Sequence, residues 1–127
     1  FRFGDSSELA DELLALVLAG KKKATCGALR DYSPDGEPVP EVGRRDVALD
    51  GRGRRAAVIE TTDMVIRRFD EVDADFAAAE GEGDLSYEYW RQAHEAYFAR
   101  TGGFSPDMLV VCERFRLVEA LTRNEEE

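Results

Sequence analysis

A lysine whose pKa can be moved and a hydroxyl close to it are the parts of a minimal nucleophilic site. One stretch of this 127-residue chain holds both: Gly20-Lys21-Lys22-Lys23-Ala24-Thr25. It contains every lysine of the chain, all other basic residues being arginines. Positions three apart on a strand point to opposite faces, so Lys22 and Thr25 share a site only if the chain turns between them. Gly20, at the expected end of a helix, permits such a turn. The helix macrodipole also favours cations at this place, so the stretch fits a solvated helix end as well.

Two further groups could join that pair. Glu80-Gly81-Glu82-Gly83-Asp84 sets acids between glycines, which free the backbone to bring a carboxylate close to a ligand or to Lys22. His94, the single histidine, lies four residues after Trp90 on a helical pattern that also carries Tyr97. Trp90 is expected in the core, although an exposed edge of Trp90 or Tyr97 could stack on a base.

Net charge is −10 and the pI about 4.6, which excludes a broad grip on duplex DNA. The charge is uneven. Arg44, Arg45, Arg52, Arg54, Arg55, Arg67 and Arg68 make residues 44–68 locally basic, whereas acids concentrate in 70–84 and in Glu125–Glu127. Such a face suits a short anionic ligand or a few nucleotides. No apolar run reaches the roughly 20 residues of a membrane span, and no signal sequence is visible. The chain opens at Phe1 without a methionine, which leaves an upstream segment open. Cys26 and Cys112 lie in apolar, strand-like surroundings and are expected as buried thiols of a cytoplasmic protein. With one histidine and no CxxC or HExxH, no metal site and no cofactor are expected; a divalent-ion requirement stays open.

The elements that must position these groups follow from periodicity. Phe1 to Phe3 alternates as a short strand. Asp5 and Glu8 form a capping box, with Ser6 and Ser7 as rival caps, before a helix to about Ala19. Strands are expected at Thr25–Leu29, Asp46–Asp50, Arg54–Thr62 and Met64–Arg68, the last with both faces partly buried. Residues 31–43 are a loop, and Gly51-Arg52-Gly53 is a hairpin turn. Asp73 caps a short helix and Ser86 the longest one, to Arg100. Met108–Ala120 is the closing strand. The order predicts one α+β domain over residues 1–120, its sheet curled into a small barrel, with an acidic tail at 121–127.

Taken in order, these residues resemble the ASCH domain, a family of the PUA-like superfamily. Gly20-x-Lys22-x-x-Thr25 is similar to its GxKxxT signature at the same junction. Phe1 to Gly4, Glu80 to Asp84, Tyr89-Trp90-Arg91-x-x-His94 and Asp107 to Glu113 resemble its longer bacterial branch. The resemblance implies a PUA-like β-barrel of about five to six strands flanked by helices, with a cleft beside the GxKxxT turn. It also implies an RNA- or nucleoside-related role. Shorter members hydrolyse the acetyl amide of N4-acetylcytidine with lysine as base, threonine as nucleophile and glutamate as proton donor. By motif these are Lys22, Thr25 and Glu82, with Glu80 the rival. Longer members include ribonucleases acting on single-stranded RNA.

The expectation is therefore an RNA hydrolase working through a Lys22/Thr25/Glu82 cleft. Lys21, Lys23, Glu80, Arg44, Arg45, Arg67, Trp90, His94 and Tyr97 are candidates for binding. The alternatives are an N4-acetylcytidine amidohydrolase and a non-catalytic RNA-binding module. Amide hydrolysis by the family's route needs Lys22 partly neutral, its pKa lowered by burial or by Lys21 and Lys23.

Overall fold

The computed structural model describes residues 1–123; the acids at 125–127 lie outside them. Ser6 caps α1 (Ser7–Leu18) by accepting from the Leu9 amide, while Asp5 pairs with Arg100 instead. Ala10, Leu13, Leu14 and Val17 form its buried stripe. Gly20, at φ +78°, ends the helix in the left-handed region, and the Lys21 and Lys22 amides close back onto the Leu16 carbonyl.

Four strands form one antiparallel sheet: β1 (Ala24–Ala28), β2 (Arg45–Leu49), β3 (Arg55–Arg68) and β4 (Leu109–Ala120), in the order β1-β4-β3-β2. The sheet curls as a half-barrel, so the α+β expectation holds, with four strands among the described residues rather than five to six. Two differences account for the count. The strands expected at Arg54–Thr62 and Met64–Arg68 are one 14-residue β3, carried past an irregularity between Thr61 and Asp63. A bulge breaks alternation without ending a strand, and it bends the sheet. Phe1 to Phe3 contributes only an isolated bridge, Arg2 to Leu49. Ile66 is 43% exposed, so that end of β3 is open on one face, contrary to expectation.

A buried cluster lies on each face of the sheet. Ala24, Cys26, Val110 and Cys112 pack against Phe76 of α2 (Ala74–Ala79) and against Trp90 and Phe98 of α3 (Tyr87–Arg100). Ala48, Ala57, Ile59 and Phe115 pack against α1. Alternation along β4 assigns Val110 and Cys112 to one layer and Phe115 to the other. Cys26 and Cys112 are buried free thiols, directly opposite each other in the register.

Candidate functional site

The turn after α1 brings Lys22 inward. Its amide is tied to Leu16, and the next residue, Lys23, donates its amide to the Ala79 carbonyl at the end of α2. The same loop then presents Glu80 and Glu82. Gly81, at φ +72°, lies so close to Lys21 that a Cβ would collide with the Lys21 carbonyl. Only glycine permits this approach, and it delivers both flanking acids to Lys22.

Lys22 is 2% exposed, and its Nζ donates to Glu80 Oε1 and to Glu82 Oε2, each at 3.0 Å. Glu80, 1% exposed, is held from its other side. Its Oε2 accepts from the Trp90 indole N–H and lies 3.0 Å from His94 Nε2. His94 Nδ1 is 2.8 Å from the Trp90 carbonyl, which can only accept. Both ring nitrogens therefore face acceptors, the arrangement of an imidazolium.

The charges settle accordingly. Burial alone would lower the Lys22 pKa, but Glu80 and Glu82 outweigh it and hold the ammonium above its usual value. Burial would raise Glu80; Lys22, His94 and Trp90 reverse this and bring it down to about 2. Glu82 shows the opposite balance, burial raising its pKa more than Lys22 lowers it. His94 is raised, burial being overcome by Glu80. Glu80 is thus a fixed anion at the centre, and Glu82 is the carboxyl free to exchange a proton. The condition that the family's amide-hydrolysis route sets, a partly neutral Lys22, is not met. Lys21 and Lys23 stay exposed at the surface, while two carboxylates face the Lys22 amine. Glu80, Glu82 and His94 each offer one ligand atom, all within 4.8 Å of one another, and the Lys22 ammonium pairs with both of the carboxylates.

This group forms one wall of a cleft of about 520 Å³. Thr25 lines the same cleft from β1, so the amine, the hydroxyl and both glutamates that the sequence singled out share one hollow. Arg44, His94 and Tyr97 also line it. The other binding candidates do not. Lys21 and Lys23 are on the outside, Arg45 pairs with Glu60 on the exposed sheet edge, and Arg67 borders a separate, small polar pocket. Trp90 is 2% exposed, stacked between Phe69 at 5.2 Å and His94 at 4.4 Å, which leaves no face for a base. Its part is to hold Glu80.

The basic run at 44–68 is largely answered by local acids. Arg44 pairs with Asp46, Arg45 with Glu60, Arg54 with Asp50 and Arg68 with Asp70. Sequence reasoning missed Glu113, Tyr32 and Tyr89, which line the cleft. An acid at a buried position of a closing strand was the available signal for Glu113.

A curled antiparallel sheet with a buried Lys-Glu-His group at a cleft beside its first strand defines a small PUA-like α+β protein. A family model described as the ASCH domain matches residues 1–119, and the chain belongs to the ASCH domain family. The chain is similar to the crystal structure of a protein from Enterococcus faecalis V583. There the identity is 39%, with 99% of this chain and 79% of that one covered and a TM-score of 0.85. It is also similar to the ASCH domain of Lactobacillus crispatus JV V101. In that case the identity is 36%, over 93% of this chain and 77% of that one, with a TM-score of 0.84. No functionally curated protein matches the chain in sequence. No helix among the described residues is long and apolar enough to cross a membrane.

Proposed function

We propose that the cleft is a hydrolase site for a neutral, acyl-modified nucleoside, with Glu82, Thr25 and Lys22 as its working groups. The observation that carries this reading is the Lys22–Glu82 pair. A buried ammonium, fixed from behind by Glu80, shares its second carboxylate with a cleft that Thr25 also lines. Membership of a PUA-like family, generally RNA-binding, supports a nucleoside-related ligand. The cleft's size fits a small molecule rather than a polymer.

In this mechanism the Glu82 carboxylate accepts the proton of the Thr25 hydroxyl as that oxygen attacks the acyl carbonyl carbon. The proton passes to the departing nitrogen as the C–N bond breaks. The acyl group remains as an ester on Thr25 until water releases it as the acid. Lys22 stays an ammonium and stabilises the developing oxyanion. Its part differs from the base implied by the family resemblance, because two carboxylates hold its proton in place.

The cleft's charge favours this substrate over a phosphodiester. Glu12, Asp31, Glu37, Asp46 and Glu113 line it, and two of its basic groups, Arg44 and Arg100, are already paired with Asp46 and Asp5. An RNA phosphate would enter against that field. Incubating the protein with N4-acetylcytidine and, separately, with labelled single-stranded RNA tests the reading. Release of acetate with formation of cytidine is the expected result. Strand scission without deacetylation would replace it with a ribonuclease, and RNA binding without either reaction with a binding module.

A further inference from the structure

Glu113 is a buried acid that none of these steps uses. It sits on β4 directly across from Thr25 of β1 in the antiparallel register, lines the cleft, and is 7% exposed. Thr61 Oγ1 donates to its Oε2 at 2.6 Å, the one hydrogen bond to its carboxyl among the described residues. Arg44, which tempers its charge, is committed to Asp46 and to the Pro38 carbonyl. Every enclosed side-chain polar atom of the described residues has a partner. The other oxygen, Oε1, has none among the described residues, so it must open onto the cleft.

We propose that Glu113 recognises the ligand: its open carboxyl oxygen accepts a hydrogen bond from an N–H on the edge of a neutral heterocyclic base. Thr61 is the positioning residue that sets the carboxyl's orientation. The inference rests on the nucleoside reading of the cleft and adds the class of base edge it takes. Burial raises the Glu113 pKa more than Thr61 lowers it, the mark of a carboxyl short of donors. A ligand N–H restores the hydrogen bond that burial removed. An analogue without that N–H leaves the acid unpaired and is rejected for that reason. Asp46 and Glu37 act on the same carboxyl and disfavour anionic ligands. An N4-acylated cytidine keeps one such N–H.

The test is calorimetric titration of the full chain with cytidine and with N4,N4-dimethylcytidine, which lacks the exocyclic N–H. The wild type is expected to bind cytidine about tenfold or more tightly than the dimethyl compound. Glu113→Leu keeps the shape and removes a buried carboxyl, so it should fold, which a thermal melt checks. It should weaken cytidine binding about tenfold and erase the preference. Glu113→Gln, which keeps a carbonyl toward the ligand, should retain most of both. Unchanged preference in Glu113→Leu would overturn the inference. Acetate release from N4-acetylcytidine, scored in parallel, separates the two readings. A wild type that prefers cytidine in this way yet never deacetylates would sink the hydrolase and leave Glu113's role standing. No binding of either nucleoside would remove both.

Discussion

Replacing Glu80 by glutamine removes one charge at nearly constant volume and probes how the site is held. Two cations meet this carboxylate, Lys22 Nζ and His94 Nε2, each at 3.0 Å. At an effective dielectric of about 20, unit charges 3.0 Å apart attract by roughly 5 kcal/mol. That attraction is what overcomes burial and raises the His94 pKa above the ordinary 6.5. In Glu80→Gln burial remains and the strongest opposing charge is gone, so the His94 pKa should fall from its raised wild-type value. The amide also turns its NH₂ toward at least one donor, either Lys22 or the Trp90 and His94 pair. Breaking one side of a buried ion pair costs about 3–5 kcal/mol.

The chain has a single histidine, so one imidazole signal in an NMR pH titration reports the change without assignment. Urea unfolding gives the stability. The Glu80 pKa is lowered from 4.5 to about 2, which corresponds to about 3 kcal/mol of stability. A depressed carboxyl stabilises fully above its unfolded pKa, so this contribution is present above pH 4.5 and is lost as pH falls through about 2. Wild type and Glu80→Gln should therefore converge at the acid end. A His94 that titrates as high in Glu80→Gln as in the wild type, or equal stability of the two proteins at pH 7, would refute this account of the site.

Lys22→Ala leaves Glu80 and Glu82 buried together without their shared cation, so it should cost about 3–5 kcal/mol in urea unfolding as well as abolish acetate release. Full turnover in that variant would take the lysine out of the mechanism. Glu82 works as a carboxylate, and burial holds its pKa above 4.5, so kcat/KM should climb as pH passes that raised value and then level off. A flat profile there would assign the base elsewhere. Cys26 and Cys112 should resist a thiol reagent in the native protein and both react once urea unfolds it; fast labelling of the folded chain would contradict their burial.

Much of the frame was legible because its signals are local. Ser6 was among the caps read from the sequence, and Asp73 and Ser86 cap where the spacing of serine, aspartate and apolar residues placed helix starts. Gly20 turns the chain where a glycine after a periodic run indicates. The β3 strand was misread for a local reason too: broken alternation near Thr62 looks the same whether a strand ends or bulges, and only pairing with β4 distinguishes them. The arginines at 44–68 looked like a phosphate grip, but several are balanced by acids beside them or across the strand.

By itself the sequence determined the family, the α+β class, and the lysine, threonine and paired glutamates that meet in one cleft. Residue types and short spacings are enough for that. The tertiary structure decided what those groups are. It made Glu80 the enclosed anion and Glu82 the half-open acid, set Trp90 and His94 to hold Glu80, and gave Lys22 a raised pKa where the family's amide-hydrolysis route requires a lowered one. A pKa depends on which charges lie within a few ångströms and how much water is excluded. Here the deciding charges on Lys22 come from 58 and 60 residues away along the chain, a proximity that no local pattern encodes.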